Sequence, residues 1–433
     1  MAETLPYPEL ETKETLNVWV LDAGGRGHAL GYKLAQAERI GNIVFSPGNG
    51  GTEDIGENCA VDFDDSQEIG EFCGEYDIDL AVVGMDRLLA NGVVGVIRSH
   101  GVAAFGPTQQ QARIESDRSY AKDIMKYAGI PTAKYEVFDE YTAAQEHCDS
   151  RQLPYVVKAN GLADGKGVTI CRERGDVSRV LREMMLLDRF GASGDRVIVE
   201  EFLVGQEISE HDICSQGIYK TFISAQDHKQ LGDGDTGPMT GGMGTIAPVP
   251  WFDASQISEA ARSSVEPLLD ATSFEGLLFT GHMVTTEGPK VVEYNARFGD
   301  PETQVFMQRM KSDLLEHLVA AVNGHLYTER IDWHEGYSVC VVAASEGYPD
   351  PVMPGQKITG LDSTNEDVTI FHAGTTKQGD EYYSTAGRVL GVTGSGPSID
   401  IARDRAYAVI ERLRFDEKKP IFRTDIGKRP SPF

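Results

Sequence analysis

Glu293 and Asn295 lie two residues apart in KVVEYNARFGDPE (290–302). If this run is a strand, its alternation places both side chains on one face. A carboxylate beside an amide oxygen is a pair of hard donors, suited to Mg²⁺ held jointly with nucleotide phosphates. Arg297 continues the same face toward the following loop. Asp300-Pro301 reads as the N-cap and first residue of a helix whose N-terminus also points toward that region.

A second chemical signal is VVKANGLADGKGV (156–168), with two lysines and three glycines in thirteen positions. Its start reads as a strand carrying Lys158, and Gly161, Gly165 and Gly167 then interrupt regular structure. No Ser or Thr follows Lys166 and Val168-Thr169-Ile170 reads as a second strand, so this is not the Walker loop. Two readings fit: an ordinary glycine-rich hairpin, or a lid that closes over polyphosphate with its backbone N–H groups. A third run, AQDHKQ (225–230), sets Asp227, His228 and Lys229 ahead of the glycine-rich DGDTGPMTGGMGT (233–245). Together these two segments are read as a substrate cradle.

Composition bounds what these groups can serve. The 433 residues exceed one ordinary core and imply several domains. A formal charge of −27 argues against a nucleic-acid partner. No apolar run reaches the ~18 residues of a membrane span. Six scattered cysteines suggest neither a zinc site nor a disulfide framework, and the expected compartment is a reducing cytoplasm. Residues 1–16 are read as a flexible extension.

The elements that must position the chemistry begin at residue 17. NVWVLDAGGRGHALGYKLAQAERIGNIVFSPGNGG alternates strand, glycine turn, helix and strand, and DLAVVG (79–84) and VAAFG (102–106) continue the pattern. This predicts an open parallel sheet with ligands at the carboxyl ends of its strands. GGRG is only part of the dinucleotide fingerprint, so a small anion near Gly25, Arg26 and PGNGG (47–51) fits as well. Helical stretches are expected over 109–129 and about 257–270, and the last block, from about 335, reads as a smaller β-rich unit.

Taken in chain order, GGRGHAL, PGNGGT, FGPT, VVKANGLADGKGV, EEFLVGQE, QDHK, DTGPMTGGMG, VEYNARFGDPETQ, FHAGT and GRVLGVT resemble the phosphoribosylamine–glycine ligase family, ATP-grasp enzymes of purine biosynthesis. The resemblance covers nearly everything after residue 16. It implies an α/β ATP-grasp fold: a Rossmann-like parallel-sheet domain over 17–116, an ATP-grasp domain over 117–333 with a mobile lid at about 133–204, and a small β-rich domain over 334–433. It also implies ATP with Mg²⁺ or Mn²⁺ as cofactors, and glycine and phosphoribosylamine as substrates.

Residue by residue, the resemblance places ATP against Arg118, Lys158, Gly165, Lys166, Gly167, Glu200, Phe202, Leu203 and Glu207, with the metal on Glu293 and Asn295. It places substrates near Gly25, Asn49, Gly50, Gly51, Asp86, Gly241, Gly242, Met243 and Asp300. Asp227 and Arg297 would meet glycine's ammonium and carboxylate, and Lys158 and Lys229 join them as catalytic groups. The chain departs from the family at Gly27 (GGRGHA for GGREHA), at GMDRLL (84–89) for GPEAPL, at Arg118 for a lysine, at Asn160 for Asp, at Gln230 for Arg and at His282 for an apolar residue.

The favoured function is ligation of glycine to phosphoribosylamine. An ATP-grasp ligase with another amine acceptor and a non-catalytic ATP-binding regulator are the alternatives. A monomer with neither membrane nor nucleic-acid contacts is expected.

Overall fold

The computed structural model describes residues 6–428 apart from 164, 253 and 364–366. Five parallel strands form the first sheet, in the spatial order Glu57–Asn58, Ile40–Phe45, Leu16–Leu21, Leu80–Val83, Ala103–Phe105. Helices cover both faces, so the central strand LNVWVL is nearly all buried, and its run of apolar residues follows from that two-sided packing. The strand order reverses between Leu16–Leu21 and Leu80–Val83. A crevice opens there at the carboxyl ends, flanked by Asp22–Arg26 and Gly84–Asp86.

A four-stranded antiparallel sheet follows, ordered Tyr135–Phe138, Val197–Glu201, Tyr155–Ala159, Val168–Cys171. Helices Tyr141–Ser150 and Arg174–Met185 close a separate core around Val157, Cys171, Leu181 and Val199. Opposite it stands a second antiparallel sheet of Ile218–Thr221, Gln206–Ser215, Gly276–Thr285 and Gly288–Asn295, backed by helix Ala254–Thr272. The C-terminal sheet is assembled across the expected boundary at 333–334. Gln226–Asp227 and Gly244–Ala247 pair into it beside Tyr337–Ala344, Arg388–Gly396 and Val368–His372.

Three local expectations are corrected. The helical stretch at 109–129 is two helices, Gln109–Ser116 and Arg118–Ala128, parted at Asp117, whose carboxylate caps the second through Tyr120 N. Asp300 does not cap the next helix: it begins at Glu302 with Pro301 at the cap position, and Asp300 turns to other partners. The segment read as a flexible extension is docked from Tyr7 onward, with Tyr7 N on Asn323 Oδ1 at 2.9 Å, Leu10 buried and Lys13 on Asp79 at 2.8 Å. Residues 1–5 lie outside the described residues.

Candidate active site

A cleft of about 620 Å³ runs between the two antiparallel sheets and ends at the crevice of the parallel sheet. Its walls draw on most of the sequence runs singled out above, because the strands and loops that carry them end there, whereas PGNGGT, FGPT and FHAGT lie outside it. Lys158, Glu200, Phe202 and Leu203 come from one side, Glu207, Glu293, Asn295 and Arg297 from the other, and Asp227–Gln230, Gly241 and Asp300 close the end with Asp86.

One wall is a buried charge triad. Glu200 forms ion pairs with Lys158 at 2.8 Å and with Lys122 at 3.0 Å, and all three side chains are under 5% exposed. Burial alone would raise the Glu200 carboxyl, but the two lysines outweigh it and hold it below the ordinary range. Burial also pulls Lys122 down to about 8, against the attraction of Glu200. Lys158 reaches Val292 O at 3.0 Å, and Lys122 reaches Thr132 Oγ1 at 2.7 Å, which in turn donates to Val291 O. The triad thereby ties the lid sheet to the strand bearing Glu293. Two ammoniums on one carboxylate leave a net positive charge at the cleft wall, where a polyphosphate needs it.

Across the cleft Lys229 Nζ lies 2.6 Å from Glu293 Oε1. Burial works against ionisation of Glu293, yet Lys229 holds its carboxyl down at about 2. Burial likewise opposes charge on Lys229, and Glu293, Glu207 and Asp227 together raise its ammonium above the ordinary range. The remaining acids are not so well served. Burial pushes up Glu207, Asp227 and Glu302, and Lys229 only partly offsets it. Even with Lys158, Arg388 and Arg297 nearby, these three acids stay raised, and a bound divalent cation would stabilise their charge.

Glu293 and Asn295 lie two residues apart on Gly288–Asn295 and both line the cleft, as the alternation required. Asn295 Oδ1 accepts from Arg297 Nη2 at 3.1 Å. Among the described residues no group of three or more His, Cys, Asp or Glu is arranged to hold a metal by itself. An ionised carboxylate, an amide oxygen and nearby acids raised by burial nevertheless fit a hard divalent cation that takes its other oxygens from a ligand. Arg297 pairs with buried Glu115 at 2.9 Å, and Glu115 also accepts from Ala296 N at 2.7 Å.

At the far end Arg388 fixes the glycine loop to the helix entry. Its guanidinium donates to Gly241 O at 2.6 Å, to Asp300 O at 2.7 Å and to Asp300 Oδ2 at 3.2 Å. Burial works against the Asp300 carboxylate, but Arg388 and Arg26 hold it ionised, below the ordinary range. The loop carrying Gly165 lies against the same place. Gly165, at φ +74°, lies so close that a Cβ on it would be 3.2 Å from Gly241 Cα, so only glycine fits both the angle and the approach. Lys166 does not line the cleft, and its ammonium makes no ion pair with another described residue. Gly167 is packed on Ala163 and Ala159.

Several expected contacts are built differently. Asn49 does not line the cleft: its amide joins Ala23 O, Gly24 O and His372 O at 3.0–3.1 Å, and its oxygen caps Gly51 N. Gly50 N donates to Thr375 O, and Gly51 is pressed on His28, so PGNGG welds the first domain to the last. Met243 is buried on Ala344 and Tyr348, and Gly242 is buried beside Asp227 and Pro301. Gly25 is packed on Gln304 and Ala373, within reach of Asp300. Arg118 lines the cleft but directs Nη1 to Ala159 O and Gly161 O, both at 2.7 Å, clamping the base of the lid loop. His282 is core, hydrogen-bonded to Ser264 Oγ at 3.0 Å.

Reasoning from sequence missed Lys122, Glu115 and Arg388. Lys122 was legible in principle: it stands four residues after Arg118, on the same helix face. Arg388 sits within GRVLGVT, but only the assembled sheet brings it to Asp300. Glu115 precedes a helix break signalled only by the capping residue Asp117.

Known proteins match the chain along nearly its whole length. The models of the phosphoribosylglycinamide synthetase N domain, ATP-grasp (A) domain and C domain match residues 16–115, 116–303 and 338–429. A phosphoribosylamine–glycine ligase of Mesorhizobium japonicum is 40% identical over 418 residues, covering 95% of this chain and 98% of the relative. That of Caulobacter vibrioides is 40% identical over 424 residues, covering 96% and 99%. The crystal structure of the Thermotoga maritima phosphoribosylamine–glycine ligase superposes with a TM-score of 0.78 at 31% identity, over 95% of this chain and 100% of that one. A biotin carboxylase of Campylobacter jejuni, at 13% identity and a TM-score of 0.74 over 95% and 94% of the chains, shares the fold. With its domains matched in order and its relatives aligned from end to end, the chain belongs to the phosphoribosylamine–glycine ligase family.

Proposed function

We propose that this protein joins glycine to 5-phosphoribosylamine at the expense of ATP, giving glycinamide ribonucleotide, ADP and phosphate. The observation that carries the reading is the meeting, in one cleft, of the Lys122–Glu200–Lys158 triad with Glu293, Asn295, Lys229 and Arg297. Phe202, Leu203 and Glu207 border the nucleotide end and Lys158 faces its phosphates, while Gly165, Lys166 and Gly167 form the lid loop over them. Glu293 and Asn295 would hold Mg²⁺ or Mn²⁺, which supplies charge neutralisation between the phosphates.

Glycine's carboxylate oxygen attacks the γ-phosphorus and ADP leaves, giving glycyl phosphate. The sugar amine then attacks the acyl carbon, and phosphate leaves as the nitrogen gives up a proton. Arg297 orients the carboxylate, and Asp227 receives the glycine ammonium. Both steps concentrate negative charge, so Lys158, Lys229 and Arg297 act by preorganised electrostatics, with no enzyme nucleophile. Asp86, Asp300 and Gly241 border the crevice end, where the sugar phosphate lies.

The test is ADP release by the purified protein with Mg-ATP and glycine, with and without phosphoribosylamine generated in place. Release that needs both substrates, with amide formed, supports the reading. ATP binding without turnover on that pair sinks it.

A further inference from the structure

The departure at Gly27 has a physical counterpart at Asp22. Gly27 is the third residue of helix Gly25–Leu34, and a Cβ there would lie 2.7 Å from Asp22 Cβ. Asp22 is 1% exposed and fully engaged. Its Oδ1 accepts from Gly24 N at 2.7 Å and Gly27 N at 3.2 Å, and its Oδ2 accepts from Arg26 Nε at 2.6 Å. Gly84, at the end of the neighbouring strand, comes equally close: a Cβ on it would be 2.5 Å from Asp22 Oδ2. Asp22 thus fills a space that exists because positions 27 and 84 carry no side chain.

The consequence reaches the cleft. The leading amides of a helix after a glycine turn ordinarily offer an anion site. Here Asp22 occupies two of the amides around that turn, and Arg26, from the same turn, offers a cationic group instead. Arg26 lines the cleft beside Asp86, Glu115 and Asp300. Nε is held by Asp22, Nη1 donates to Phe298 O at 3.0 Å, and Nη2 has no hydrogen-bond partner among the described residues. Two anchors on one guanidinium fix its plane and leave one edge for a ligand.

We propose that Asp22 is a positioning residue that holds Arg26 edge-on to the sugar phosphate of the amine substrate, and that Asp22 and Gly27 form a matched pair. The inference rests on the ligase reading above. A glutamate at position 27, which the family's GGREHA carries, needs the volume that Asp22 fills. In this chain the carboxylate stands on the strand end, at Asp22.

The experiment is steady-state kinetics of wild type, D22G, G27E and D22G/G27E, varying phosphoribosylamine, ATP and glycine in turn. Wild-type turnover with phosphoribosylamine tests the ligase reading by itself. D22G is expected to raise KM for phosphoribosylamine about tenfold with KM for ATP nearly unchanged, the size of one lost charge-assisted contact. G27E is expected to be impaired by the clash, and the double variant to recover most of the lost affinity. If D22G also loses saturation by ATP, D22N decides by the same KM, because it keeps the side-chain volume and an oxygen for Gly24 and Gly27. An unchanged KM for phosphoribosylamine in D22G or D22N overturns the positioning role, and a double variant no better than the product of its singles overturns the matched pair.

Discussion

Lys229 Nζ and Glu293 Oε1 stand 2.6 Å apart across the floor of the cleft, and each holds the other ionised against the effect of burial. The proposed metal ligand is thereby kept anionic, and a cation already stands in an acidic pocket that a divalent ion would share. The pair joins two segments 64 residues apart in the chain.

Replacing Glu293 with alanine removes the anionic ligand and leaves Lys229 among acids that it serves only partly. Turnover with Mg-ATP is expected to fall by about 10²-fold or more, the range seen when one preorganised electrostatic group is deleted. ADP release measured across Mg²⁺ concentrations checks it. Wild-type activity in this variant would sink the metal assignment.

Lys166 stands on the glycine loop outside the cleft wall, and the proposed lid closure would bring its charge to ATP. Lys166→Ala should raise KM for ATP severalfold and change kcat less, the pattern of a group that contributes uniform binding. Initial rates at saturating glycine and phosphoribosylamine separate the two constants. An unchanged KM with a collapsed kcat would move Lys166 into the chemical step.

Lys122 offers a pH signature. Its ammonium titrates at about 8 in the fold because burial lowers it from 10.5. Between those values the unfolded chain binds the extra proton, so the Lys122 contribution to stability rises with pH through that window. Denaturant midpoints at pH 7.5 and pH 10, compared between wild type and Lys122→Met, should show the rise reduced in the variant. Parallel profiles would mean that Lys122 is charged at both values.

His282 predicts the opposite end of the scale. Burial lowers its pKa from 6.5 to about 3, so the fold holds it neutral on Ser264. As pH falls from 6.5 toward 3 the unfolded chain takes up the proton first, and stability declines by up to about 1.4 kcal/mol per pH unit from this group. In His282→Gln that component should vanish from urea melts taken between pH 7 and pH 4.5. Identical slopes would show that His282 is protonated inside the fold.

The local chemistry was legible in the chain because it depends on short-range order. Strand alternation alone set Glu293 beside Asn295, and the glycines of 161–167 marked the loop between two paired strands. Alternating strands and glycine turns announced the parallel sheet, since strands buried on both faces must be apolar throughout. Ordered motifs over nearly the whole chain carried the family.

Tertiary structure decided which charges meet. Lys122, Glu115 and Arg388 acquire their roles only when Glu200, Arg297 and Asp300 are brought to them from other elements, and no local pattern encodes such pairing. Asn49 and Met243 sit in conspicuous glycine runs, yet Asn49 is turned to His372 of the last domain and Met243 is buried on Ala344 and Tyr348, so neither lines the cleft. Asp22 shows the same limit: it reads as a strand-end acid until the missing side chain at Gly27, five residues on, gives it room beside Arg26. Sequence determined which groups could do the chemistry, and the close approach of distant backbones decided which of them face one another.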